Sequence, residues 1–393
     1  IDSKLGDWFN QVFPARVEAM GGQAGIIANQ MAALGATSCV YCPVLSQKQA
    51  ASFDPQVLYP RINGKVEWIN IREAVNDDWT KLNYIFEYGK GIDFPFGDEV
   101  ITSPRANRVI LGTRNPKAAM GFAEEIEPYL TEIGASIDVA FMAGYHHGKI
   151  EGRTNTLQEY IDLSKADLMR LKAGNPQLKL HLEYVPMPQA DDEVVLLRQL
   201  APLFTSFGIN ENEIRRLLMQ LGYEELANDI INNERAFSLY QGALAVAREL
   251  KVPRIQLHNL GYYVVVLMKP YDTDPKLVRQ ACLFASAVNG VKAKQGGAVP
   301  LADVAQMAEY PLSDIGMKQL KAFVDEAESA VLPVTEEMLD TGILEMEDHW
   351  ILIVPAHVVP NPVSTVGMGD TISSSAYAAE VSLAKNAVKS SNC

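Results

Sequence analysis

The run Asn361-Pro-Val-Ser-Thr-Val-Gly-Met-Gly-Asp370 leads at once into the small-residue segment Thr371-Ile-Ser-Ser-Ser-Ala-Tyr-Ala-Ala-Glu380. That segment reads as a helix, whose first amides lack intrahelical partners and whose dipole favours negative charge. Gly367 and Gly369 let the backbone approach an anion such as a phosphate closely. Asp370 adds a carboxylate, which a phosphate would repel unless it faced a substrate hydroxyl. There it can take the proton as that oxygen attacks phosphorus. An N-cap aspartate after a glycine-rich turn fits the same letters, and the motif alone does not decide.

Two further acidic motifs come earlier. His181-Leu-Glu183 lies in the apolar run Leu178 to Val185, and Asn210-Glu-Asn-Glu213 opens the amphipathic segment Ile214 to Leu221. By themselves, Glu183 is a strand-end acid and Glu213 a first-turn acid favoured by the helix dipole. The elements that must hold them alternate. Arg108–Leu111, Ile137–Met142, Leu178–Val185, Arg254–Leu257 and Ile351–Val354 read as strands, and Lys117–Leu130, Thr156–Lys172, Glu234–Leu250 and Lys276–Val288 as helices. Such alternation predicts a layered α/β core with a mostly parallel sheet. Ser46 to Ser103 differs, being rich in aromatic and turn residues, with β-patterned pieces at Lys65–Ile71 and Leu82–Tyr88 and an Asn63-Gly64 turn. It reads as an inserted β-rich lid.

Composition narrows the partners. With 393 residues the chain exceeds the usual single domain, so a large domain with a smaller attachment is expected. Forty-eight acidic against 34 basic residues give a net charge of −14, which argues against general nucleic-acid binding. Any phosphate site must be a local basic cluster. The sequence shows no apolar run of membrane-spanning length and no signal-peptide pattern, and it reads as cytoplasmic. Cys39-Val-Tyr-Cys42 has metal-ligand spacing, but no second Cys or His pair accompanies it, and a buried strand is the better account.

In this order, Met20-Gly-Gly-Gln-Ala-Gly-Ile26, Ser103-Pro-Arg-Ala-Asn-Arg108, His181-x-Glu183, Asn210-x-x-Glu213 and Thr365-Val-Gly-x-Gly-Asp-Thr-Ile-Ser373 closely resemble the ADP-dependent sugar kinases of archaea, a branch of the ribokinase-like superfamily. The resemblance runs over nearly the whole chain. It implies a three-layer α/β/α core with a mostly parallel central sheet and a smaller β-rich lid domain. Residues 1–19 would be a lid-associated segment, 20–45 core helix and strand, 46–104 the lid, and 105–393 the nucleotide-binding core. Residues Ile1 to Phe13 resemble the family's segment just before Gly-Gly-Gln, so the natural beginning is expected to be missing.

The resemblance also implies roles. Asp370 is the base, with the amides around Gly367, Met368 and Gly369 holding the transferring phosphoryl group. Arg105 reaches the nucleotide phosphates, while Asn210, His258 and Val366 belong to the nucleotide side. His258 reads equally well as a satisfied core histidine. Gly21, Gly22 and Gln23 contact sugar hydroxyls; Asn83 and Lys90 lie on the closing lid, where Arg61 and Lys65 are also available. Glu183 and Glu213 flank a Mg²⁺ site and could act through its waters. The implied reaction moves the β-phosphate of ADP to the 1-hydroxyl of fructose 6-phosphate, in a monomer without nucleic-acid or membrane partners. An ADP-dependent glucokinase, an enzyme with both activities, and a non-catalytic nucleotide or sugar sensor are the alternatives.

Overall fold

A computed structural model describes residues 3–13, 17–104, 107–113, 121–150, 152–363 and 365–391. The chain begins with α1 (Ser3–Val12), α2 (Gln23–Ala33) and α3 (Gln47–Ala51), then β1 (Leu58–Ile62), β2 (Val66–Asn70), β3 (Asn83–Tyr88), β4 (Asp93–Phe96), β5 (Glu99–Thr102) and β6 (Asn107–Gly112). After these come α4 (Leu130–Ala135), β7 (Val139–Met142), α5 (Leu157–Gly174), β8 (Lys179–Glu183), α6 (Ala190–Leu200), β9 (Ser206–Asn210), α7 (Glu211–Gln220), α8 (Glu224–Asn232) and α9 (Ala236–Leu250). The last part holds β10 (Arg254–Asn259), β11 (Tyr262–Met268), α10 (Pro275–Gln295), α11 (Asp314–Ser329), α12 (Glu337–Thr341), β12 (Ile343–Glu345), β13 (His349–Pro355) and α13 (Met368–Ser391).

Seven strands form one sheet in the order β12-β13-β11-β10-β9-β8-β7. β7 to β10 run parallel, β11 is antiparallel to β10 and to β13, and β12 is antiparallel to β13. β13 therefore points the same way as β7 to β10. Alternate side chains divide between the two faces, as the period of a strand requires. Tyr262, Val264 and Val266 enter the apolar layer under α5 to α9, whereas Tyr263, Val265 and Leu267 pack with Val278, Cys282 and Ala285 of α10 and Ile372 and Ala376 of α13. Helices thus cover both faces of the sheet, giving the three-layer α/β/α architecture.

The remaining strands stand apart in antiparallel pairs, β1 with β2, β3 with β6 and β4 with β5. The Asn63-Gly64 turn closes the first hairpin, with Gly64 in the left-handed region at φ 69°. This hairpin region lies on α2, where Phe53, Val57 and Ile71 pack with Ala28 and Ala32. α1 instead covers the β3–β6 pair, with the Phe9 ring 5.3 Å from those of Tyr84 and Phe86.

Two sequence expectations need correction. Arg108–Leu111 forms part of β6, but pairs with β3 instead of joining the central sheet. Its alternation was real, yet alternation cannot name the partner. The helix expected over Lys117–Leu130 lies outside the described residues up to position 120; beyond that only a short 3-10 turn, Glu127–Tyr129, precedes α4. Pro128 inside that turn removes a backbone donor, and the α-helix proper begins after it.

Candidate active site

β8, β9 and β10 lie side by side, and their carboxyl ends carry Glu183, Asn210 and His258. In an open α/β sheet that edge is where ligands bind. Asn210 and Glu213 form a reciprocal cap at the start of α7. The Asn210 Oδ1 accepts from the Glu213 amide at 3.0 Å, and the Glu213 Oε2 accepts from the Asn210 amide at 2.9 Å. This arrangement satisfies two helix-end donors and holds Glu213 close to β8 and β9.

α13 enters the same edge. Gly367, just before it, has φ 68°, and a Cβ there would lie 2.5 Å from Ile26 of α2. Gly369 passes close to His258, a Cβ on it falling 3.0 Å from the imidazole Nε2. Both glycines are therefore needed for the close passage of this turn between α2 and β10. Asp370 is the third residue of α13, not its cap, and the Gln23 side chain hydrogen-bonds its carboxylate. The N-cap reading of Asp370 is thereby set aside.

The charges at this edge are coupled. Burial pushes the Asp370 carboxyl up to about 7, the nearby Glu183 pushing the same way while Gln23 and Lys292 oppose. Glu183 is raised to about 8 by burial, with Ser373 opposing. Glu213 is also raised to about 8, by burial and then by Glu183 and Glu211, against its bond from the Asn210 amide. Glu183 thus works against the ionisation of both Glu213 and Asp370. Among the described residues no group of three or more His, Cys, Asp or Glu closes into a metal cage.

Burial lowers the His258 imidazole to about 4, with His181 adding to the effect, so the ring is neutral. Its Nδ1 is buried without a hydrogen-bond partner among the described residues. Val366 lies half-buried between the turn and α13. Gly21 and Gly22 are exposed at the start of α2, next to Gln23. Asn83 and Lys90, by contrast, are exposed on the β3 side of the molecule, and no hydrogen bond among the described residues links either to the acidic cluster. Arg105 lies outside the described residues.

Three residues not anticipated from the sequence belong here. Gly208 of β9 has the Glu183 Oε2 2.5 Å, and the His181 Nε2 and Ser373 Oγ each 2.9 Å, from where its Cβ would be. Glycine inside a strand pattern was the available signal, since it marks close approach. Lys292 of α10 is almost fully buried, donates to the Gly297 carbonyl at 2.7 Å and interacts electrostatically with Asp370. Ser373 sits one turn into α13 beside Glu183.

Residues 2–379 match the ADP-specific Phosphofructokinase/Glucokinase conserved region. An ADP-specific phosphofructokinase of Pyrococcus abyssi is 31% identical over 390 residues, covering 98% of this chain and 83% of the relative. An ADP-dependent glucose/glucosamine kinase of Pyrococcus furiosus is 29% identical over 369 residues, covering 92% and 75%. Among solved structures, an ADP-dependent kinase in complex with fructose-6-phosphate and ADPbetaS superposes with a TM-score of 0.89 at 33% identity, over 97% of this chain and 83% of that one. Together with the Gly-x-Gly-Asp turn and its coupled acids, the near full-length match places this chain in the ADP-specific phosphofructokinase/glucokinase family.

Proposed function

We propose that this protein is an ADP-dependent phosphofructokinase, transferring the β-phosphoryl group of ADP to the 1-hydroxyl of fructose 6-phosphate to give AMP and fructose 1,6-bisphosphate. The observation that carries the chemistry is Asp370, set in the first turn of α13 beside the Gly367–Gly369 amides and held by Gln23. The substrates are supported by the relatives named as ADP-specific phosphofructokinases and by the related kinase solved with fructose-6-phosphate and ADPbetaS.

In this reading Asp370 receives the proton of the sugar 1-hydroxyl as its oxygen bonds to the β-phosphorus. The bond from that phosphorus to the bridging oxygen breaks, and AMP leaves with the electron pair. A carboxyl near 7 is poised for this at neutral pH. The amides of Gly367, Met368 and Gly369 hold the transferring group, with the Lys292 ammonium nearby. Glu183 and Glu213 would hold Mg²⁺, directly or through water, and when bound it neutralises charge on the phosphate oxygens. We assign Arg105, Asn210, His258 and Val366 to the nucleotide, Gly21, Gly22 and Gln23 to sugar hydroxyls, and Asn83 and Lys90 to a lid that closes over the sugar phosphate. We assign residues 46–104 to the lid together with β6, which pairs with β3, and the rest of 105–393 to the nucleotide core of a cytoplasmic monomer. Among the described residues no helix is long and apolar enough to cross a membrane.

A coupled assay crossing ADP or ATP with fructose 6-phosphate or glucose tests the reading. Turnover is expected with ADP and fructose 6-phosphate. Turnover with glucose alone would reassign the protein as a glucokinase, as the Pyrococcus furiosus relative makes worth checking. Nucleotide binding without turnover on either sugar would leave a sensor.

A further inference from the structure

A buried polar chain leads from the interior of the sheet to Glu183. Arg254, at the start of β10, is fully buried, and its guanidinium donates to Glu380 Oε2 at 2.8 Å, Gln256 Oε1 at 2.7 Å and Ser206 Oγ at 2.9 Å. Ser206 Oγ is also 2.9 Å from His181 Nδ1, and His181 Nε2 is 3.0 Å from Glu183 Oε2. Both Ser206 and His181 are wholly buried, so every proton here needs an acceptor within the chain.

The direction of this chain follows from what each group can do. A guanidinium only donates, so Ser206 Oγ is an acceptor toward Arg254. The Ser206 proton then has one acceptor left among the described residues, His181 Nδ1. A neutral imidazole that accepts at Nδ1 carries its proton on Nε2, and that proton points to Glu183. The reverse direction would leave the serine proton buried without a partner. The same geometry requires a neutral ring, since an imidazole protonated at both nitrogens would leave the Ser206 proton without an acceptor among the described residues.

We propose that Arg254 and Ser206 are positioning residues for Glu183, fixing His181 as the Nε2–H tautomer so that it donates to Glu183 Oε2 and sets the orientation of that carboxylate. This builds on the kinase reading, which gives Glu183 its task. Burying an Arg–Glu pair such as Arg254–Glu380 contributes little net stability compared with apolar packing. A directional role accounts for a charge spent there.

The test is a long-range ¹H–¹⁵N spectrum of ligand-free, magnesium-free protein labelled at its six histidines, with His181 assigned by a His181→Asn variant. The expected result is one ring nitrogen protonated at Nε2 and a bare Nδ1 in the parent. Ser206→Ala should lose that single tautomer, and Ser206→Thr should restore it. In parallel, Ser206→Ala should raise the magnesium concentration for half-maximal turnover by roughly 10–100-fold, as for other partners of metal-holding groups, with KM for the sugar nearly unchanged. A parent protonated at Nδ1, or a Ser206→Ala variant with tautomer and magnesium dependence both unaltered, would overturn the proposal. The expected tautomers without turnover on any sugar would uphold the positioning chain and sink only the kinase reading.

Discussion

The two places to which ligand-binding groups have been assigned are built in opposite ways. At the sheet edge, β8, β9 and β10 are buried along nearly their whole length, and α2, α10 and α13 close the other sides. In the β3–β6 and β4–β5 pairs each strand has one neighbour; β5 is exposed throughout, and β3 alternates between exposed and half-buried. What steadies β3 is a small aromatic contact, Phe9 of α1 and Phe13 just beyond it against Phe86 and Tyr84. The groups proposed to hold a reacting phosphorus, a task that tolerates only fractions of an ångström, therefore stand on the element with the most support. The groups given to capture and covering stand on the unit with the least, where movement costs little.

Removing the proposed base tests this difference most severely. Asp370→Asn should lower kcat by about 10²–10⁴-fold, the usual loss for a general base, while ADP affinity and melting temperature stay close to the parent. Steady-state turnover with a separate nucleotide-binding titration measures both. Turnover within a few-fold of the parent would remove Asp370 from the chemistry.

A matched pair of glycine substitutions compares the regions directly. At Gly208 an added methyl meets Glu183 and His181 below the closest normal contact, and overpacking there should cost about 1–3 kcal/mol. At Gly89, ahead of β4, the nearest atom is Ile92 Cδ1 at 3.9 Å, and the same change should stay within about 0.5 kcal/mol. Denaturant unfolding of Gly208→Ala and Gly89→Ala reads the contrast. Equal costs would show that the sheet edge is no more tightly built than the outlying strands.

The acids supply a subtler contrast. Glu183, Glu213 and Asp370 all have folded-state values raised above the ordinary carboxylate range, to about 8, 8 and 7. The folded chain therefore keeps protons that the unfolded chain releases, so this contribution is fully present below the ordinary carboxylate range and is lost as pH rises through about 7–8. Ligand-free protein should melt at progressively lower temperature across that window, and Mg²⁺ should flatten the fall by favouring the ionised acids. Glu213→Gln should flatten it too, without metal. A melting temperature that holds steady or rises across the same window would mean that these acids ionise freely in the folded state.

Much of the sheet edge was legible because its signals are local. The Asn210-x-x-Glu213 spacing is itself a helix-capping pattern, and the turn before α13 carries its glycines within three residues of Asp370. The apolar runs that became β8, β10 and β13 needed only strand periodicity. What stayed hidden depends on chain segments far apart. Nothing in the letters around Arg254 separates it from a surface arginine at a strand start; Glu380 and Ser206, which hold it, come from α13 and β9. Lys292 looks like any lysine near a helix end until Gln30 of α2 clasps Val299, at 3.0 and 3.1 Å, and fixes the Gly296-Gly297 loop beside it. The placement of β6 was lost for a related reason, since a short alternating run can pair at either body.

The smallest expected effect belongs to the least supported region. Lys90 is exposed beyond the end of β3, where a long cationic side chain is by default only a solubility group. If the β3–β6 unit closes on the sugar phosphate, its ammonium gains a charge-assisted hydrogen bond that exists only with ligand present. Lys90→Ala should then raise KM for fructose 6-phosphate by about tenfold, near the lower bound for a charged hydrogen bond, while kcat and the ADP KM stay within a factor of about two. Its melting temperature should match the parent without ligand, because the side chain is exposed and no hydrogen bond or ion pair among the described residues involves it. With fructose 6-phosphate added, the parent should gain more thermal protection than the variant, in proportion to the affinity lost. Equal losses toward sugar and nucleotide, or none toward either, would detach Lys90 from the sugar phosphate and leave capture to residues of the sheet edge.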